Sequence, residues 1–244
     1  MPNSQAREPS EQLAVTSRRI LLARLILRFS TVLAAGMIIL FLTEGTWKFW
    51  QGWAWLGALF IPSLCGYSYF FKTDPRFLET RLDDREQVGE QKQLIRWSGP
   101  LFVVAFLLPG LDHRFGWSQR LHLAVPLWLT LLSLAMALAA ILLVLWVMNV
   151  NRFAAHTIQV VAGQTVISSG PYRFVRHPLY SGAALLWVFT PLALGSFVAL
   201  PAFVLLESFY VIRLLNEEKL LRASLPGYIE YCARTRFRLV PFIW

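Results

Sequence analysis

The residues with the densest chemical content lie between Gly170 and Gly182, in the order Gly-Pro-Tyr-Arg-Phe-Val-Arg-His-Pro-Leu-Tyr-Ser-Gly. Tyr172, Arg173, Arg176, His177 and Tyr180 are held there between two glycines and two prolines. Pro171 and Pro178 fix their own φ and bias Gly170 and His177 towards extended backbone. Guanidiniums offer forked donors to an anion, and an imidazole and phenols can stack or hydrogen-bond. Long apolar segments flank the stretch on both sides. Ionisable groups at membrane depth are costly, and where a chain keeps them they are usually functional. The plainer alternative is a cationic loop at the cytoplasmic membrane face, anchored by interfacial tyrosines. That alternative accounts for the arginines taken alone and not for the whole constellation.

Two carboxylates follow at Glu217 and Glu218. Arg213 and Glu217 are four residues apart, as are Glu218 and Arg222, which is also the spacing of ordinary helix-surface pairs worth a few tenths of a kcal/mol. Neighbours on a helix point about 100° apart, so only one of the two glutamates can readily face a pocket. Glu218 has the better-oriented partner in Arg222, so Glu217 is expected to face the ligand.

The elements that must position these groups are apolar. The chain has 244 residues, 56% hydrophobic, with mean hydropathy +0.51. Those values exclude an ordinary water-soluble domain and indicate a multi-span membrane protein. The net charge of +9 is spread over loops between apolar runs, which suits an anionic membrane face and not nucleic acid. Cys65 and Cys232 fall in unlike settings, so no disulfide is expected. His113, His122, His156 and His177 are scattered, so no metal site is expected.

In chain order, residues 1–17 read as a disordered cytoplasmic tail, and 18–148 as N-terminal transmembrane helices. Residues 149–244 read as the catalytic region with a transmembrane hairpin. The first helix is expected from Arg18 to about Leu42, retained and not cleaved as a signal. Trp47, Trp50, Trp53 and Trp55 form an aromatic belt before a second span, about Trp53–Phe71, that contains Pro62. Lys72–Arg96 mixes charges at helical spacing and reads as a surface connector. A third span is expected over Trp97–Leu111, closed by Pro109, then an outer loop Asp112–Arg120. A fourth span is expected over about Leu121–Met148. Apolar sequence from Tyr180 to Leu215, split at Gly195-Ser196, predicts a tight helical hairpin. An amphipathic helix broken at Pro226-Gly227 follows. The fold class is therefore all-α, a polytopic bundle of about five to six transmembrane helices with a cytoplasmic C-terminal binding region. Of the 23 lysines and arginines, only Lys48, Arg114 and Arg120 fall on the side opposite the Gly170–Gly182 stretch. The positive-inside rule then puts that stretch in the cytoplasm.

The Gly-Pro-Tyr-Arg-x-Val-Arg-His-Pro-x-Tyr-x-Gly pattern resembles the signature of the isoprenylcysteine carboxyl methyltransferase family, which is related to phospholipid methyltransferases. Glu217-Glu218, Tyr228, Tyr231, Arg234 and Pro241-Phe242-Ile243 extend the resemblance. A weaker match lies in Asn151, Phe153 and Gln159. The resemblance covers Asn151–Trp244 and upstream is only one of hydropathy. It implies S-adenosylmethionine as cofactor, held by Gly170, Pro171, Tyr172, Arg173, Arg176, His177, Pro178, Tyr180, Gly182, Glu217 and Glu218. Arg213 and Glu217 are the implied catalytic residues, and Asn151, Phe153 and Gln159 the implied substrate residues. Arg176 or Arg173 would pair with the donor's carboxylate, and Gly182 would let the ligand approach closely.

Methyl transfer is an in-line displacement that rests on positioning in a water-poor site. A carboxylate or thiolate acceptor needs no strong base. An amine acceptor does, and Glu217, Glu218 or His177 can serve. The expected partners are a lipophilic or lipid-tailed substrate and membrane lipids, with no nucleic acid. The expected location is multi-pass in an inner, plasma or endomembrane. Where the family has an Asn-x-Phe-Phe-Ser-like run, this chain has Asn151-Arg152-Phe153-Ala154-Ala155. Membrane sterol and steroid reductases, which use NADPH, carry a similar Arg-His-Pro-x-Tyr-x-Gly usually followed by an acidic residue; here Ala183 follows Gly182. A non-enzymatic scaffold or transporter is the third reading, with Glu207 as its best feature.

Overall fold

The computed structural model describes residues 9–82, 89–153 and 164–244. Among these residues the chain is helical, and its one β-type contact is an isolated bridge between Ala124 and Ser196. Helix α1 spans Pro9–Met37 and continues as a π-helical turn, Ile38–Leu42. Then come α2 (Trp50–Thr73), α3 (Pro75–Leu82), α4 (Gly89–Phe115) and the short α5 (Trp117–Arg120). Helix α6 (Leu127–Val150) precedes a 3₁₀ turn at Gly170–Arg173, followed by α7 (Pro178–Ala193), α8 (Leu200–Ser224) and α9 (Tyr228–Arg234).

Among the described residues, three segments are long and apolar enough to cross a membrane: Ser17–Leu42, Trp50–Thr73 and Leu127–Val150. Their outward faces carry exposed large apolar residues such as Leu27, Ile61, Leu131 and Leu142. In water such faces would be a liability; against hydrocarbon they are the expected surface. Helices α4, α7 and α8 complete the bundle, and α7 and α8 form the hairpin expected from Gly195-Ser196. Gly195 has φ +76°, the left-handed conformation that a turn this tight requires.

Several boundaries differ from the sequence reading. Helix α1 begins at Pro9, inside the stretch expected as tail, because Pro is tolerated in a first turn and Glu11, Gln12, Leu13 and Ala14 include strong helix formers. Pro109 does not close the third span: α4 runs through Pro100 and Pro109 to Phe115, and surrounding helices absorb the lost backbone bonds. The expected outer loop Asp112–Arg120 is largely helical. Asp112 is buried, accepting from the Ser118 backbone N–H at 2.7 Å and from the hydroxyls of Ser118 and Ser196 at 2.5 Å. These bonds fasten the end of α4 to the hairpin turn. Gly170 is left-handed, φ +57°, and not extended; a Cβ there would lie 2.9 Å from a Val150 methyl.

The core has two apolar layers and a C-terminal knot. One layer joins Leu40, Phe41, Phe49, Trp55, Phe106 and Phe203. The other joins Leu21, Leu25, Phe70, Phe77, Leu78 and Met148. The knot is Leu225, Tyr228 and Tyr231, packed against Tyr172. The C-terminal segment runs beside the Gly170–Gly182 stretch: the Arg176 and His177 N–H groups donate to the carbonyls of Phe237 and Arg238 at 2.8 and 3.0 Å. Ser181 Oγ donates to the Leu239 carbonyl at 2.6 Å.

Candidate active site

A cavity of about 420 Å³ opens among α2, α3, α6, α7, α8 and the 3₁₀ turn, within the usual range for small-molecule sites. Its polar part is lined by Arg81, Asn151, Tyr172, Arg176, His177, Tyr180, Arg213 and Glu217. Its apolar part is lined by Tyr67, Ile141, Val144, Leu145, Leu186 and Trp187. Residues from both 18–148 and 149–244 therefore wall the cavity.

Rigid anchors hold the polar end. The Tyr231 hydroxyl donates to the Tyr172 carbonyl at 2.6 Å. Asn151 Nδ2 donates to the Tyr172 hydroxyl oxygen at 2.7 Å, which leaves the phenol's own proton for another acceptor. Burial, with the Glu217 charge adding to it, raises the Tyr172 phenol to about 12, against the opposing bond from Asn151 and the charge of Arg81. It stays a donor at physiological pH. Asn151 Oδ1 also accepts from the Phe153 backbone N–H at 2.9 Å. Gly182 lines the cavity and lets α7 lie against α6. A Cβ there would meet a Val144 methyl at 2.8 Å and the Ala140 carbonyl at 3.3 Å.

The two glutamates diverge. Glu217 reaches the cavity, where the Tyr180 hydroxyl donates to its Oε2 at 2.7 Å. Arg213, one turn earlier on α8, reaches the same phenol. Glu218 is 3% exposed and does not line the cavity. Arg176 Nη2 bonds its Oε1 at 3.0 Å, Arg222 Nη2 bonds Oε1 at 2.8 Å, and Arg238 Nε bonds Oε2 at 2.6 Å. It lies beyond the apolar part of α8. Burial would raise its carboxyl, but bonds from Arg238 and Arg222 and the charge of Arg176 outweigh burial and hold it at about 2. The sequence reading gave Glu218 Arg222 as its partner. It also has two more, one from the far end of the chain.

That arrangement changes the expected duty of Arg176. It is 5% exposed, and Nη1 donates to the carbonyls of Thr235 and Arg236 at 3.0 and 2.7 Å, while Nη2 is taken by Glu218. Its terminal nitrogens brace the signature against the C-terminal segment, which leaves little for a ligand carboxylate. Arg173 is exposed, stacked 5.5 Å over Phe174, and outside the cavity. Gly170, Pro171 and Pro178 shape the backbone but do not line the cavity. Gln159 lies outside the described residues.

His177 is 4% exposed, with Nε2 3.3 Å from the Tyr228 hydroxyl and 3.9 Å from Glu218 Oε2. Burial, then the charges of Arg176, Arg238 and Arg222, outweigh Glu218 and push the imidazole down to about 4. It is neutral at physiological pH and a weak base. Of the three groups named above as possible bases, Glu217 lines the cavity, whereas Glu218 does not and His177 is held neutral.

Sequence reasoning missed Arg81 and Arg238 as parts of this assembly, and named Tyr228 in the resemblance without giving it a role. Arg81 sat in a segment read as a bland connector. The signal for the others was the short distance in chain from Glu218 to a Tyr- and Arg-rich tail.

Residues 131–223 match the sequence model of the isoprenylcysteine carboxyl methyltransferase (ICMT) family. The matched segment covers 93 of the 244 residues. It contains most of α6, the signature, α7 and nearly all of α8, so Asn151, Tyr172, Arg176, His177, Tyr180, Gly182, Arg213, Glu217 and Glu218 all fall inside it. Arg81 and Arg238 fall outside the matched segment. That family is one of methyltransferases. Among solved structures, the chain is similar to the eukaryotic intramembrane Ras methyltransferase ICMT: 18% identity over 88% of this chain and 75% of that one, with a TM-score of 0.44. No curated protein matches the chain.

Proposed function

We propose that the chain is an integral membrane methyltransferase that takes its methyl group from S-adenosylmethionine and passes it to a lipid-tailed acceptor. The observation that carries this reading is the single cavity with a polar end at the signature and an apolar end among α2, α6 and α7. A polar, nucleoside-containing donor fits the first and a lipid chain the second. The neutral His177 and the phenol of Tyr172 suit a flat, uncharged base, and the Glu217 carboxylate suits an amino group or ribose hydroxyls. When bound, S-adenosylmethionine supplies an electrophilic methyl group on a sulfonium.

The chain's own residues do the positioning. Tyr180 orients the Glu217 carboxylate, and Arg213 reaches the Tyr180 phenol. Arg213 can hold an acceptor carboxylate by a charge-assisted fork. If the acceptor is an amine, Glu217 takes its proton. Burial of Glu218 behind the cavity wall, and the low basicity of His177, keep those groups out of proton transfer. The apolar walls exclude water, which strengthens each of these interactions. Residues 149–244 supply most of the polar groups, and the lysine and arginine distribution supports a cytoplasmic site.

The test is transfer of an isotopically labelled methyl group from S-adenosylmethionine by purified protein in lipid nanodiscs. A prenylated cysteine with a free carboxylate and a lipid amine serve as parallel acceptors. Label in a lipid-soluble product is expected. No transfer to either acceptor class contradicts the reading.

A further inference from the structure

We propose that Arg81 of α3 is a ligand-binding residue that holds a carboxylate group of a molecule occupying the cavity. The proposal rests on the methyl-transfer reading above and adds a residue outside the matched segment. Arg81 is 6% exposed and lines the cavity. Its charge acts on the phenol of Tyr172 in the signature. A buried guanidinium on a cavity wall is costly, and it presents five N–H donors in a planar fork that matches a carboxylate. That fork can serve a ligand alongside a partner within the protein.

The fold fixes where Arg81 points. On α3, Leu78 is fully buried and Phe77 is 5% exposed, both in the apolar layer with Phe70 and Met148. Asp74 Oδ1 accepts from the Phe77 N–H at 3.1 Å and caps the helix. Arg152, just past the end of α6, stacks 5.3 Å over Phe77 and 5.0 Å over Phe70, and pairs with Asp74 at 3.6 Å. The short helix is thus clamped to the end of α6, beside Asn151. Arg176 cannot easily take a ligand carboxylate, because its terminal nitrogens are engaged by Glu218 and two carbonyls. The other guanidiniums on the wall are Arg213 and Arg81, and of these Arg81 is the one whose charge acts on Tyr172 in the signature.

The carboxylate can belong to the methyl donor's amino-acid end or to the acceptor, and one set of titrations separates them. S-adenosylhomocysteine and 5′-methylthioadenosine, which lacks the amino-acid end, are titrated into wild type, Arg81→Ala and Arg81→Lys in detergent. The KM for a prenylated-cysteine acceptor is measured on the same samples. A donor-side role is expected to weaken S-adenosylhomocysteine at least tenfold in Arg81→Ala, with methylthioadenosine unchanged. An acceptor-side role leaves both affinities unchanged and raises the acceptor KM at least tenfold. Arg81→Lys, which keeps charge and stem without the fork, gives an intermediate loss and carries the comparison if Arg81→Ala does not fold. Changes below twofold in all three quantities overturn the proposal. Failure of the wild type to bind S-adenosylhomocysteine overturns the methyl-transfer reading itself, and this proposal with it.

Discussion

The Glu217 carboxylate accepts the Tyr180 phenol at 2.7 Å inside the cavity, while the Glu218 carboxylate, one residue on, is enclosed by Arg176, Arg222 and Arg238. Two adjacent carboxylates thus divide ligand binding from architecture. Glu217→Gln is expected to lower donor affinity or methyl transfer at least tenfold, about 1.4 kcal/mol, with little change in thermal midpoint. Glu218→Gln is expected to cost about 3–5 kcal/mol of stability, since it leaves the buried Arg176 uncompensated. Calorimetry and thermal unfolding of both variants check this. An unchanged midpoint in Glu218→Gln would remove the architectural role.

Acid should destabilise the protein through His177. Its folded value of about 4 lies below the ordinary 6.5, so the unfolded chain takes up the proton first as pH falls. The contribution is intact above about pH 6.5 and is lost between there and about pH 4, by roughly 3 kcal/mol at most. Glu218, depressed to about 2 from 4.5, adds a second loss only below about pH 4.5. Thermal midpoints from pH 7 to pH 5 should fall in wild type and stay flat in His177→Gln. Equal slopes in the two proteins would show that His177 is not the group responsible.

Gly182 is where α7 and α6 meet. Gly182→Ala puts a methyl 2.8 Å from Val144 Cγ2, an overpacking expected to cost about 1–3 kcal/mol. Val144→Ala should recover part of that loss, so the double variant should be non-additive by more than about 0.5 kcal/mol. Strict additivity in thermal unfolding would mean that the glycine serves some other contact.

Much of this site could be read from the sequence, and the limits have physical causes. The signature stands out because glycine, proline, histidine and arginine together are anomalous beside apolar spans. The divergence of Glu217 and Glu218 follows from the helical angle alone. Arg81 could not be found that way: its place near Tyr172 depends on α3 being clamped by Arg152, a contact between distant parts of the chain. The same holds for Arg238 on Glu218 and for Ser196 on Asp112. Local signals also misled where tertiary packing overrode them, as when α4 passed through Pro109 and Gly170 took a left-handed conformation.

Orientation gives a separate test. In a Cys65→Ala, Cys232→Ala background, Glu230→Cys on α9 and Gln119→Cys on α5 both place exposed thiols at opposite ends of the bundle. In intact cells an impermeant maleimide should label position 119 and not position 230. The reverse pattern would put the signature on the outer face and contradict the charge argument.

The central claim is that the cavity holds the methyl donor. Its most direct test is titration of S-adenosylhomocysteine and, separately, NADPH into purified protein by calorimetry, with thermal unfolding alongside. The account expects one S-adenosylhomocysteine per chain, a midpoint raised by mass action to the extent of about 2.7 kcal/mol at a hundredfold excess over Kd, and no heat from NADPH. Binding of NADPH without S-adenosylhomocysteine would contradict it and turn the same cavity into a reductase site.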